Sequence, residues 1–283
     1  MSNETVRVLV STDWLGEELD DPGIRIVDAT WHLPNAGRTG IEDYEEGHIP
    51  GAIFWDLDAI ADPDDPLPHM LPDDATFARH MEALGISNDH HVIVYDNCGM
   101  MTSPRVWWCL RAYGHEKVSL LDGGLIKWRA EGRDVSTAPA RIPPVTYKAS
   151  LDETRVRSAD DVMADIGSGA EQILDARSAE RFAGTAPEPR PECRSGHIPG
   201  SLNLPFGQLI DPETKTVRAP ADLKKSFEDA GVDLNRPVVT SCGSGVTACV
   251  LALGMHLIGK DDVAVYDGSW TEWGSRADTP VET

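Results

Sequence analysis

No apolar run in the 283-residue chain approaches the roughly 18 residues that cross a bilayer, which excludes a membrane-spanning helix. The opening MSNETVRVLV lacks the basic, apolar and small-residue blocks of a secretory signal, so the expected location is the cytoplasm, with no membrane partner. Basic residues are scarce: 25 Lys and Arg stand against 47 Asp and Glu, a formal net charge of −22. Such a field repels a phosphate backbone, so nucleic acid is excluded as a partner, and an anionic ligand would need a local cluster of arginines. Cysteine is sparse as well. Cys98, Cys109, Cys193, Cys242 and Cys249 are odd in number and form no C-x-x-C, which argues against a disulfide scaffold and for reduced thiols. No cysteine and histidine spacing fits a zinc site, and neighbours such as His90 and His91 point to opposite faces of a strand, so no metal and no other cofactor is expected. What is present is ordinary: 41% hydrophobic and 25% charged residues, enough for one large core or two smaller ones.

The chain repeats itself. Ile26-Val27-Asp28-Ala29 matches Ile173-Leu174-Asp175-Ala176, and Gly47-His48-Ile49-Pro50-Gly51 is identical to Gly196-His197-Ile198-Pro199-Gly200. The apolar run ending at Asp96 matches the run ending at Cys242, and Leu121-Asp122-Gly123-Gly124 with Trp128 matches Tyr266-Asp267-Gly268-Ser269 with Trp273. The offsets are 147, 149, 146 and 145, as expected for one duplicated domain with small loop changes.

Each copy alternates β-branched runs with amphipathic stretches, the pattern of a parallel sheet flanked by helices and hence of an α/β fold. In the second copy, strands are expected over 171–176, 201–204, 237–241 and 263–266, and helices over 158–166, 221–230 and 246–258. The first copy should carry helices over 74–84 and 103–113, closed by Gly85 and Gly114. Residues 139–150, with Pro139, Pro143 and Pro144 and few apolar anchors, read as a stiff linker between domains at 1–138 and 151–283.

Chemistry concentrates after the strand ending at Ser241. Cys242-Gly243-Ser244-Gly245-Val246-Thr247 leads from a buried strand into an apolar helix, and its glycines allow successive backbone N–H groups to turn inward around the sulfur. A helix N-terminus and a nest of donors favour the thiolate, so Cys242 is the expected nucleophile. The first copy has Asp96 in that position and is expected to be inactive.

The C-G-S-G-V-T loop, the twin G-H-I-P-G motifs, the D-G-G and D-G-S segments and Arg181-Phe182-x-Gly184-Thr185-x-Pro187-Glu188-Pro189-Arg190 together resemble the tandem-domain rhodanese sulfurtransferases over nearly the whole chain. Within that family the loop is similar to those of members that use 3-mercaptopyruvate. The resemblance implies that Cys242 takes sulfur from 3-mercaptopyruvate as a persulfide, releases pyruvate, and passes the sulfur to cyanide, a thiol or a thioredoxin-like protein. It also implies that Arg181 and Arg190 bind the substrate beside Gly243, Ser244, Gly245, Val246 and Thr247, and that Ser244 works in proton transfer with His48 and Asp43 of the first copy. That last role requires His48 to approach Cys242.

Other readings separate on the same residues. Thiosulfate is a compact dianion, and members of the family that this chain resembles which prefer it usually carry basic residues just after the cysteine, whereas Gly243, Ser244 and Gly245 are uncharged; thiosulfate sulfurtransferase is the alternative activity. A cysteine phosphatase needs an arginine closing a longer loop, and Thr247 and Ala248 stand there. A noncatalytic binding module is disfavoured by the intact cysteine and both arginines. Cys98 lies two positions past the nucleophile slot and Cys249 falls in the following helix, so neither is assigned a catalytic role.

Overall fold

Short β-branched runs and caps at the helix ends build the same unit twice. The computed structural model describes residues 6–283; the first five, part of the stretch read above for a signal, lie outside the described residues. The chain divides into two compact units. Unit 1 holds the first repeat up to Pro63, residues 71–151, and the short stretch 212–217; unit 2 holds 64–70, 152–211 and 218–283. Each unit therefore includes a few residues that belong in sequence to the other repeat.

Unit 1 runs β1 (Leu9–Val10), α1 (Thr12–Glu18), β2 (Ile24–Asp28), α2 (Gly40–Glu46), β3 (Ile53–Phe54), α3 (Asp74–Ala83), β4 (His91–Tyr95), α4 (Ser103–Ala112), β5 (Val118–Leu121) and α5 (Gly124–Ala130). Unit 2 runs β6 (Val156–Arg157), α6 (Ala159–Ser168), β7 (Gln172–Asp175), α7 (Ala179–Phe182), β8 (Leu202–Asn203), α8 (Pro220–Asp229), β9 (Val238–Ser241), α9 (Ala248–Leu257), β10 (Val263–Tyr266) and α10 (Ser269–Ser275). All strands are parallel, in the orders β1-β5-β4-β2-β3 and β6-β10-β9-β7-β8, which are the same order counted from each repeat's start. The expected strands and helices lie within a few residues of their places. The two edge strands β1 and β6, only two residues long, carry too little apolar pattern to be read from sequence.

Local chemistry sets the ends. Thr39 with Glu42 and Ser158 with Asp161 form reciprocal capping boxes, and Asp73 accepts from Thr76 N to start α3. Gly85 and Gly231 follow α3 and α8 in the left-handed region (φ +66° and +87°), where a side chain would be strained. The sheets are covered on both faces, so β4 is buried from Val92 to Tyr95 and β9 along its whole length.

The stretch 139–150 is irregular but does not stand free. Tyr147 N donates to Glu82 Oε1, Lys148 N to Asn88 Oδ1 and Ser150 N to Tyr113 O, which lays the segment along unit 1. Among the described residues, no helix is long and apolar enough to cross a membrane.

Candidate active site

Cys242 sits just past the end of β9 and is buried. Its backbone is clamped by the segment that follows β10. Cys242 N donates to Ser269 Oγ at 3.1 Å, Trp270 N donates to Cys242 O at 3.0 Å, and Thr271 donates to Gly243 O through both N (2.8 Å) and Oγ1 (2.6 Å). Ser269 has a left-handed φ of +50°, which costs a non-glycine residue of order 1–3 kcal/mol. Its counterpart in unit 1 is Gly124, with φ +56°. From that position the serine hydroxyl accepts from Cys242 N and donates to Tyr266 O at 2.8 Å. Gly245 turns the loop at φ +74°. Among the described residues, the N–H groups of Ser244, Val246, Thr247 and Ala248 donate to no protein oxygen, so the loop that follows Cys242 keeps unspent donors. Ser244 is buried with them.

Unit 1 shows what such a loop can hold. Asp96, at the position of Cys242, accepts from Cys98 N (2.9 Å) and Met100 N (3.0 Å) on Oδ1, and from Thr102 N (2.9 Å), Ser103 N (2.8 Å) and Ser103 Oγ (2.8 Å) on Oδ2. Gly99 turns this loop at φ +74°, as Gly245 does the other. The donors Cys98, Met100 and Thr102 correspond, at an offset of 146, to Ser244, Val246 and Ala248. The repeat thus contains a fold-encoded nest for one negative charge, filled in unit 1 by a carboxylate and lined in unit 2 by a cysteine.

A buried ionic chain fixes one arginine over the unit 2 loop. Arg177 meets Asp175 (Nη2–Oδ2 2.6 Å) and Glu188 (Nη1–Oε1 2.8 Å), stacks on Trp270 at 4.2 Å, and is fully buried. Glu188 shares its other oxygen with Arg181 through Nε and Nη2. Arg181 Nη2 lies 3.4 Å from where a Cβ on Gly243 would stand, which places the guanidinium against the loop. Arg181 is about a quarter exposed and open to a ligand on that side. Arg190 is half-exposed and forms no ion pair among the described residues.

Sequence reasoning missed His69. It belongs to unit 2, is buried at a left-handed φ of +66°, and its Nδ1–H donates to Ser244 O at 3.2 Å. The available signal was the long stretch 55–73 with neither strand nor helix, which in a compact domain points to function. Its repeat counterpart, Lys215, shares the left-handed φ (+59°) and lies over Gly99 of unit 1.

The proposed partnership of His48 and Asp43 is corrected by their surroundings. His48 is buried, stacked on Tyr44 at 3.9 Å, with Nδ1 on Tyr44 O (2.7 Å) and Nε2 on Ala138 O (3.0 Å). His197 does the same in unit 2, stacked on Phe182 at 3.9 Å with Nδ1 on Phe182 O. A role repeated in both units belongs to the fold, not to one active loop. Asp43 does not meet His48; its Oδ2 accepts from His32 Nε2 at 2.9 Å.

Divergence has left unit 1 with a cost. Asp28 corresponds to Asp175, but Thr30 replaces Arg177, and Asp28 Oδ2 is buried without a partner. Burial, opposed by hydrogen bonds from Thr30 and aided by the nearby Asp96, pushes its carboxyl up to about 6. The folded protein then holds a proton that the unfolded chain, with carboxylates near pKa ~3.9, releases, so this contribution to stability is greatest below pH ~4 and declines as pH rises through ~6. Asp28→Asn is expected to raise stability by roughly 1–3 kcal/mol at pH 8 and by little at pH 4, measured by urea unfolding at both; no gain at pH 8 would contradict the assignment.

The Rhodanese-like domain family matches residues 11–131 and 158–276. The chain is 43% identical to the 3-mercaptopyruvate sulfurtransferase of Mus musculus over 277 residues, 96% of this chain and 93% of the relative. It is 44% identical to the thiosulfate sulfurtransferase of Cricetulus griseus over 98% of this chain and 94% of the relative. Among solved structures, the 3-mercaptopyruvate sulfurtransferase SseA from Escherichia coli superposes with a TM-score of 0.85 at 39% identity, covering 94% of this chain and 99% of that one.

Proposed function

We propose, for a chain that belongs to the rhodanese-like domain family, that unit 2 transfers sulfur from 3-mercaptopyruvate to a thiol or cyanide through a persulfide on Cys242. The observation that carries this reading is the loop: the N–H groups of Ser244, Val246 and Ala248 are unspent, and their counterparts in unit 1, those of Cys98, Met100 and Thr102, bind the side chain of Asp96. A thiolate and a terminal persulfide anion both suit such a site. Cys242 Sγ attacks the thiol sulfur of the donor, the donor's C–S bond breaks, and its electron pair passes to the enolate of pyruvate. Proton delivery to that enolate falls to Ser244, whose carbonyl is held by His69. Arg181 and Arg190 take the carboxylate and keto oxygen, Arg181 braced by Glu188. An acceptor thiol or cyanide then attacks the outer sulfur of the persulfide and restores Cys242. A thioredoxin-like protein is a candidate acceptor, and the five free cysteines suit the reducing cytoplasm.

Thiosulfate as donor is the second reading, favoured by the likeness to the Cricetulus griseus enzyme. The uncharged Gly243, Ser244 and Gly245 favour a monocarboxylate over a compact dianion. The ratio of kcat/KM for 3-mercaptopyruvate over thiosulfate, with cyanide as common acceptor, is expected to exceed about ten, equivalent to ~1.4 kcal/mol of transition-state preference. A ratio below about one would move the chain to the thiosulfate reading.

A further inference from the structure

Unit 1 lost its nucleophile at position 96, yet two residues further on it carries a thiol in an ordered setting. Cys98 Sγ donates to Trp31 O at 3.3 Å and lies 3.8 Å from His32 Nδ1. His32 Nε2 lies 2.9 Å from Asp43 Oδ2, which also accepts from Asn97 Nδ2 at 3.0 Å, while Arg38 Nη1 stands 3.5 Å from Asp43 Oδ1. Since a carboxylate only accepts, Nε2 carries a proton, and in the neutral ring the Nδ1 lone pair faces Cys98. Thiol, base and orienting carboxylate are therefore in sequence, the arrangement that activates a nucleophile. Among the described residues no group of histidine, cysteine and acidic side chains has the geometry to hold a metal, so the cluster is not a metal site.

We propose that Cys98, His32 and Asp43 form a second sulfur-handling site that accepts sulfane sulfur from small-molecule persulfides, independently of Cys242. The choice of substrate follows from what surrounds the thiol. The anion nest is filled by Asp96, leaving no oxyanion hole for acyl chemistry and no cradle for an anionic donor. Displacement at divalent sulfur needs neither. The thiol proton passes to His32 Nδ1, Cys98 Sγ attacks the outer sulfur of R–S–SH, the S–S bond breaks, and the departing thiolate takes the proton from His32. The products are Cys98–S–SH and R–SH, with no external oxidant or reductant. Burial and the carboxylates of Asp96 and Asp43 push the Cys98 thiol up to about 12, so the resting group is the protonated thiol and its reaction depends on His32. Cys98 is only partly buried, which leaves a small persulfide access to it.

The test uses the full chain carrying Cys242→Ser, treated with glutathione persulfide and mapped by peptide mass. Cys98 is expected to gain one sulfur at least about tenfold faster than the partly exposed Cys193, which has no histidine partner among the described residues. His32→Gln, and separately Asp43→Asn, should slow labelling of Cys98 about tenfold or more and leave Cys193 unchanged. Labelling of Cys98 no faster than Cys193 overturns the proposal without recourse to any His32 or Asp43 variant, as does equal labelling with and without His32. Because Cys242 is absent throughout, failure here leaves the reading of unit 2 intact.

Discussion

Replacing Cys242 with serine is expected to lower sulfur transfer from 3-mercaptopyruvate to cyanide by at least about 10⁴-fold, the scale on which an enzyme loses its covalent nucleophile. No neighbouring thiol can take over. Cys249 is fully buried on α9 with Sγ on Gly245 O, and Cys109 is buried on α4. Burial and Glu192 push the Cys193 thiol up, and burial with Asp96 pushes that of Cys98 up to about 12. The loop itself should survive the change, because its shape depends on main-chain bonds from Trp270 and Thr271 and on Ser269, none of which involve the sulfur. The unaltered protein given donor without acceptor should gain about 32 Da on the peptide carrying Cys242, the mass of one sulfur, and the variant should gain none there. A variant retaining more than about 1% of the rate would refute a persulfide at this residue.

The duplication, both parallel sheets and the strand-to-helix loop that carries Cys242 were legible because each leaves a local mark: a β-branched run, a cap, a glycine after a helix, or a cysteine between a strand and a helix. The partners of the loop were less visible. Ser269 and Thr271 clamp Cys242 and Gly243 from another strand's end, and the D-G-S motif containing Ser269 marked the repeat without revealing what its hydroxyl met. His69 lies 175 residues from Ser244 in chain order, within a proline-rich stretch that has no periodic signal. The motif around His48 repeats in both copies, and with it a ring stack that the sequence did not reveal, on Tyr44 in unit 1 and on Phe182 in unit 2. Arg181 could be named from its motif, but not the carboxylate of Glu188 that aims it, since one acid shared by two arginines is a property of the folded core.

Asp96→Asn is expected to cost unit 1 about 2–4 kcal/mol, although the side chain keeps its shape. The wild-type carboxylate accepts five hydrogen bonds, four from main-chain N–H groups, and is completely buried. An amide offers one oxygen and one NH₂ group, so whichever way it turns, two or three donors face a donor. Bonds to a charged acceptor are worth roughly 1.5–3 kcal/mol each, and buried donors left unmade forfeit their hydration as well. The loop cannot readily move away, because Asp96 O also accepts from Leu125 N at 2.9 Å and Thr102 Oγ1 donates to Ala29 O at 2.7 Å. Urea unfolding at pH 7 should therefore show a marked fall in the midpoint, and a loss below about 0.5 kcal/mol would mean that the nest does not depend on a charge at its centre. The same reasoning links the two units chemically. The loop that folds around a carboxylate in one copy is built on the same turn in the other, with the sulfur of Cys242 at the position of Asp96.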